Sequence, residues 1–220
     1  MKTTGPIDGQ PQYGIPIPIE GTRTWLTPFV YTKEYGFFRD SDNFQEGGIA
    51  GSGRDSQETF AGVRLNGYPV RWHNVIFRHD DVGDSTTLLD HRAFISEVWF
   101  LGRGERSTQL KSKAILFAVT ETDTSGNGEL EDTDAMVIYM TDREGRNGVP
   151  VTPPEGQVDS IHLFAEEGRL VFMVRMDANG DRKYEKSEPL VPYTVTIGPG
   201  EKGIEPWLDP AAAKLMKDIY

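Results

Sequence analysis

The apolar residues of this chain fall into short runs separated by polar, glycine-bearing breaks. AILFAV at 114–119, AMVIYM at 135–140, RLVFMVRM at 169–176 and PLVPYTVTI at 189–197 are rich in β-branched and aromatic residues, which predicts strands. Earlier in the chain Ile15, Ile17 and Ile19 alternate with prolines, and proline cannot donate to a sheet ladder. That segment reads as an edge strand or an extended lead-in, and Trp25–Tyr35 as a fuller strand. Thr59–Val70, Arg71–Arg78 and AFISEVWFLG read as further strands, with HDDVGDS as a hairpin turn. Residues 1–14 read as a loose arm, Asp40–Gly53 as a solvated Gly-rich loop, and Gly102–Ser112 as a polar connector. One helix is expected, over 209–220. Asp209 can cap it, Pro210 suits its first position, and Leu215, Met216 and Ile219 share an apolar face.

Between the strand pairs lie two loops of one spacing. Asp177–Glu188, DANGDRKYEKSE, places side-chain oxygens at its first, third, fifth, ninth and twelfth positions: Asp177, Asn179, Asp181, Glu185 and Glu188. Ca²⁺ is a hard cation that takes six to eight oxygens, and this order wraps a loop around one ion. Asp123–Asp134, DTSGNGELEDTD, is a second copy. An EF-hand has helices on both sides of such a loop, whereas LFAV, VIYM, VFMV and YTVT predict strands. These are loops of EF-hand spacing on β-hairpins. The unit is strand, loop, strand, with a third strand between copies, at a period of about fifty residues typical of repeated β-modules.

The chain has 220 residues, enough for one domain or at most two, and we read 1–220 as a single β-repeat domain with its repeat core over 68–197. The net charge of −11 repels phosphate backbones and argues against nucleic acid as a partner. With no cysteine, disulfides and thiol chemistry are excluded. No apolar run is long enough to span a membrane. The N-terminus has no apolar h-region, so the protein is either cytoplasmic or has lost a leader.

The stretch from RWHNVIF through LLDHRAFI, ILFAVTETDTSGNGELEDTDAMVIYMTDREG and RLVFMVRMDANGDRKYEKSEPLVPYTV resembles uncharacterised bacterial proteins, secreted or lipoprotein-like, with TolB- or WD40-like propeller repeats. The resemblance covers roughly Tyr68–Ile197 and implies an all-β, propeller-like fold of repeated antiparallel sheets with no known reaction. It places calcium ligands at Asp123, Ser125, Asn127 and Asp134, with the Glu129 carbonyl, and at Asp177, Asn179, Asp181 and Glu188, with the Lys183 carbonyl. The sixth position is Gly128 in the first loop but Arg182 in the second, which is expected to turn differently because a non-glycine residue resists positive φ. Ser and Asn at two ligand places lower the charge of the first loop, which predicts weaker binding. Three units are few for a closed ring. An open or sandwich-like arrangement, or a homodimer that completes the edges, is therefore expected.

Other chemistry is thin. His79 beside Asp80, with His91 beyond, makes an acid–base cluster only if the turn folds back, and a hairpin turn accounts for the same residues. Ser160, His162 and Asp159 share one strand without a G-x-S-x-G around the serine. Trp25, Trp72, Trp99 and Trp207 are spread out and read as packing residues, with Trp99 or Trp207 as an alternative rim contact. The sequence thus predicts a calcium-stabilised, non-enzymatic binding or scaffold protein, periplasmic, cell-surface or secreted, whose partner is another protein or an envelope glycan. The alternative is an envelope-polymer hydrolase, acting on glycan or peptide, whose carboxylate site the sequence does not locate.

Overall fold

A computed structural model describes residues 9–19, 21–32, 58–59, 62–65, 68–101, 114–153, 155–164, 168–197, 204–209 and 211. The described residues form three antiparallel sheets, none of which closes on itself. The first holds β1 (Gln10–Tyr13), β2 (Ile17–Pro18), β3 (Thr24–Thr32), β7 (Asn74–His79) and β8 (Asp84–Thr87). In the second are β6 (Tyr68–Trp72), β9 (Phe94–Phe100), β10 (Ala114–Thr120), β11 (Met136–Asp142) and β12 (Val149–Pro150). The third contains β4 (Glu58–Thr59), β5 (Gly62–Arg64), β13 (Gly156–Phe164), β14 (Arg169–Met176), β15 (Leu190–Thr196) and β16 (Glu205–Pro206).

The middle sheet is covered on both faces, which explains the unbroken apolar run of β10. Ala114, Leu116 and Ala118 join a core with Leu170, Phe172 and Val174 of the third sheet. Ile115, Phe117 and Val119 turn the other way, into a core with Leu26, Val75 and Phe77 of the first. Every residue of β10 is buried, whereas β7 alternates. A strand between two layers needs apolar side chains on both faces; one with an open face needs them at every second position. Phe77 and Phe117 meet edge to face at 6.2 Å across the first interface. Gly145, at φ 75°, packs on the same Phe77 ring, and a Cβ there would lie 2.1 Å from it, so only glycine fits this turn.

Two of the sheets contain consecutive four-strand meanders, β9–β12 and β13–β16. In each, the ladder runs strand to next strand, and the second connection is the long acidic loop. Gln10–Tyr13, within the segment read as a loose arm, pairs with β3 in the register Tyr13↔Phe29. Ile17–Pro18 is an edge strand on β3, as the alternating prolines suggest. HDDVGDS is a hairpin turn, closed by Gly83 N–H donating to the His79 carbonyl at 2.8 Å. Trp72 and Trp99 are buried, while Trp25 and Trp207 are exposed. Asp40–Gly53, Gly102–Ser112 and the helix expected over 209–220 lie outside the described residues, apart from Asp209 and Ala211 at the helix start. There the Asp209 carboxylate accepts the Ala211 N–H at 2.8 Å, the contact an N-cap makes. No described helix is long and apolar enough to cross a membrane.

Candidate metal centre

Loop 1 (123–134) joins β10 to β11, and loop 2 (177–188) joins β14 to β15. Their first residues act alike. Asp123 Oδ1 accepts Gly126 N–H at 2.6 Å and Oδ2 accepts Gly128 N–H at 2.7 Å. Asp177 Oδ1 accepts Gly180 N–H at 2.7 Å and Oδ2 accepts Arg182 N–H at 3.0 Å. In both loops, then, the first carboxylate gathers the amides of the fourth and sixth positions. Those positions have positive φ in both: 78° and 87° at Gly126 and Gly128, 77° and 62° at Gly180 and Arg182. Arg182 thus takes the left-handed conformation expected only of glycine, and the second loop turns as the first does. The Arg182 N–H bond to the Asp177 carboxylate offsets the backbone cost, because a hydrogen bond to a charged group stabilises by about 1.5–3 kcal/mol.

The twelfth position repeats the pattern. Asp134 accepts Thr124 N–H at 2.9 Å and Glu131 N–H at 3.1 Å. Glu188 accepts Ala178 N–H at 3.0 Å and Glu185 N–H at 3.1 Å. Each twelfth-place carboxylate therefore ties the second position to the ninth and closes the loop. Between the ends, Asn127, Asn179 and Asp181 each accept the N–H two residues on, at 2.8, 2.9 and 2.8 Å. Short polar side chains favour such Asx turns. The Asp123 carboxyl is held below the usual carboxylate range, chiefly by the Gly128 N–H, against a smaller opposing effect of burial and with help from Gly126, Ser125 and Asn127. The Tyr184 phenol is pushed up by burial and by the charges of Asp177 and Glu188, although Arg182 pulls it the other way.

The donors these loops offer are all oxygens: Asp123, Ser125, Asn127, the Glu129 carbonyl and Asp134 in loop 1, and Asp177, Asn179, Asp181, the Lys183 carbonyl and Glu188 in loop 2. That set suits a hard cation such as Ca²⁺ and no thiolate- or imidazole-preferring metal. Among the described residues no three His, Cys, Asp or Glu side chains converge to hold an ion. The structure brings the ligand places onto one repeated backbone frame, in which the carboxylates face the loop amides. Sequence spacing located the loops but missed Thr124, whose hydroxyl donates to Asp134 at 3.3 Å and accepts Ala135 N–H at 2.9 Å, pinning both ends of loop 1. A threonine beside the first ligand was the only signal.

His79 is buried between Thr24 Oγ1 at 3.2 Å and Thr86 Oγ1 at 3.3 Å, and Asp80 turns to Trp25 Nε1 at 2.7 Å and Arg78 Nε at 3.1 Å. Ser160 Oγ lies 3.1 Å from His162 Nε2, while Asp159 accepts from Arg175 at 3.2 Å. Among the described residues no acid orients the His162 ring, whose buried Nδ1 has no hydrogen-bond partner there. His91 contacts Asp90 through Nδ1 at 2.7 Å and Glu121 through Nε2, and Tyr139 donates to Glu121 at 2.8 Å. Burial, then the hydrogen bond to Glu121, pushes the Tyr139 phenol far up, so it stays a donor. This knot was not foreseen, because its members come from three separate stretches of chain. No protein-family model, curated protein or solved structure matches the chain.

Proposed function

We propose that this is a calcium-binding, non-enzymatic binding or scaffold protein of the cell exterior, in which Ca²⁺ braces two β-hairpin loops. One observation carries the reading: two loops of the same donor spacing share one backbone frame, with carboxylates at the first and twelfth positions on the same amides. Ligand spacing alone recurs by chance; spacing together with a repeated frame on equivalent hairpins is far more restrictive. The ion would neutralise acids that otherwise repel one another and fix each hairpin tip. Loops in extracellular modules bind calcium at about 10⁻⁴–10⁻³ M, which suits a structural role outside the cytoplasm.

Stacked four-strand meanders support a propeller-like architecture of the TolB or WD40 kind, open or completed by a second copy, with a C-terminal helix. The partner would be another protein or an envelope glycan. An envelope-polymer hydrolase has less support, since among the described residues the acids that converge outside the loops are turned onto basic side chains, Asp90 and Glu121 onto His91 and Asp84 and Glu144 onto Arg146.

Thermal unfolding of chelator-treated protein, with Ca²⁺ added and Mg²⁺ as control, tests the proposal. At calcium about 100-fold above Kd each site adds about 2.7 kcal/mol, or roughly 5–10 °C for a domain of this size. The rise should vanish in Asp123→Ala combined with Asp177→Ala. No calcium-specific rise in the unmutated protein would make the loops plain hairpin tips and end the reading.

A further inference from the structure

We propose that Arg175 is a positioning residue for the cation site of loop 2, one that acts through the backbone on Glu188. The inference rests on the reading of that loop as a calcium site. Arg175 stands on β14, two residues before Asp177, with its side chain 14% exposed. Its Nη1 donates to the carbonyls of Glu185 at 3.4 Å, Lys186 at 3.3 Å and Glu188 at 3.2 Å. Its Nη2 donates to Asp159 Oδ1 at 3.2 Å.

Three carbonyls of one tight turn aimed at a single point repel one another unless a donor or cation stands between them. The planar guanidinium fills that place and at the same time reaches Asp159, a geometry a lysine ammonium cannot span. The carbonyls it gathers belong to the ninth, tenth and twelfth positions, the half of the loop that presents the Glu188 carboxylate. Glu188 N–H, in turn, donates to the Glu185 carbonyl at 3.0 Å, so the gathered segment is a closed turn. Holding it fixes where the twelfth-place carboxylate stands relative to Asp177. Asp159 offsets the charge of the guanidinium, which limits its repulsion of an incoming cation. Among the described residues loop 1 has no guanidinium in that place: its ninth-place carbonyl, of Glu131, accepts from Thr120 Oγ1 at 3.4 Å, and the residue two before Asp123 is Glu121, an acid turned to His91 and Tyr139. Partners of metal ligands, as opposed to the ligands themselves, commonly change metal affinity by about ten- to a hundredfold when removed.

Terbium luminescence on the full chain reads loop 2 through Tyr184, which lies inside that loop, and the part of the signal lost in Asp177→Ala is the part that belongs to it. Wild type should give a saturable Tyr184-sensitised signal that Asp177→Ala abolishes. Arg175→Met, which keeps the length but removes charge and donors, should weaken terbium binding at least about tenfold. Arg175→Lys should recover only part of this. Arg175→Met within twofold of wild type (about the scatter between preparations), or tighter binding, would overturn the proposal. So would a fall in the melting temperature of chelated protein without loss of affinity, the mark of a purely structural residue. A wild-type signal absent, or surviving Asp177→Ala, would instead remove the reading of loop 2 as a cation site, and the proposal with it.

Discussion

In loop 1 the twelfth-place carboxylate of Asp134 is 1% exposed and takes four hydrogen bonds, from Thr124 N–H and hydroxyl, Ser125 N–H and Glu131 N–H. In loop 2 its counterpart Glu188 takes two, near the surface. The two frames coincide, yet their supports differ. Loop 1 draws a short acid into the body and satisfies it with its own amides. Loop 2 keeps a longer, more accessible acid, has a further acid, Asp181, at its fifth position, where loop 1 has Asn127, and leans on Arg175 from below. The same donor spacing can therefore yield a hairpin closed by a buried, densely bonded acid and one closed by a half-buried acid with fewer partners. Stability in the absence of metal should depend more on the closing acid of the first loop than on that of the second.

The sharpest way to break that contrast is to remove each twelfth-place acid from chelated protein. Asp134→Ala strands the N–H groups of half-buried Thr124 and Glu131 and of exposed Ser125 around a buried site, and should cost about 3 kcal/mol in urea unfolding, since each unpaired group costs about 1–3 kcal/mol and part relaxes onto water. Glu188→Ala should cost at most about 1 kcal/mol, because its donors are exposed and water replaces the acceptor. Equal costs would mean that burial of Asp134 carries no extra stability, and the contrast would collapse.

Much of this was legible along the chain. The runs that became β10, β11, β14 and β15 announced themselves by composition, and the oxygen spacing marked both loops. Other features were hidden for a physical reason. The first sheet pairs β3 with β7 across some forty residues, Trp25↔Arg78 and Thr27↔Ile76, and no local pattern specifies such a partner. Likewise β5 joins the third sheet beside β13, which lies far along the chain. The His91–Glu121–Tyr139 knot and the reach of Arg175 depend on the same long-range closure. Arg182 is the instructive local case. Residue type argued against positive φ, but the Asp177 carboxylate imposes it through one amide.

Arg182 therefore offers the next, smaller test of equivalence. A non-glycine residue in the left-handed region costs about 1–2 kcal/mol, while glycine costs about 0.4–1 kcal/mol in unfolded-chain entropy. Arg182→Gly should then stabilise chelated protein by roughly 0.5 kcal/mol, the difference between those two effects. Gly128→Ala should destabilise it by roughly the same 0.5 kcal/mol, the same two effects with the sign reversed, because nothing lies within 4 Å of a Cβ at that position. A neutral or destabilising Arg182→Gly would show that the arginine side chain itself supports loop 2, a second difference from loop 1.

The smallest expected effect concerns the first-place acids. Asp123 accepts from the Gly126, Asn127 and Gly128 amides and from Ser125 Oγ, whereas the Asp177 frame rests on two amides. With the Gly128 N–H as the largest cause, the folded-state pKa of Asp123 lies below its ordinary 3.8. Between those two values the unfolded chain binds more protons than the folded one, so stability rises with pH across that window. The contribution is complete above 3.8 and is lost as pH falls through the lowered folded value. Asp123→Asn keeps an acceptor for the amides but cannot titrate, so its urea midpoint in chelator should change less steeply with pH at the acid end than that of wild type. Identical slopes would mean that the amides of loop 1 hold Asp123 no more firmly as an anion than as an acid, and that its denser hydrogen bonding is geometric only.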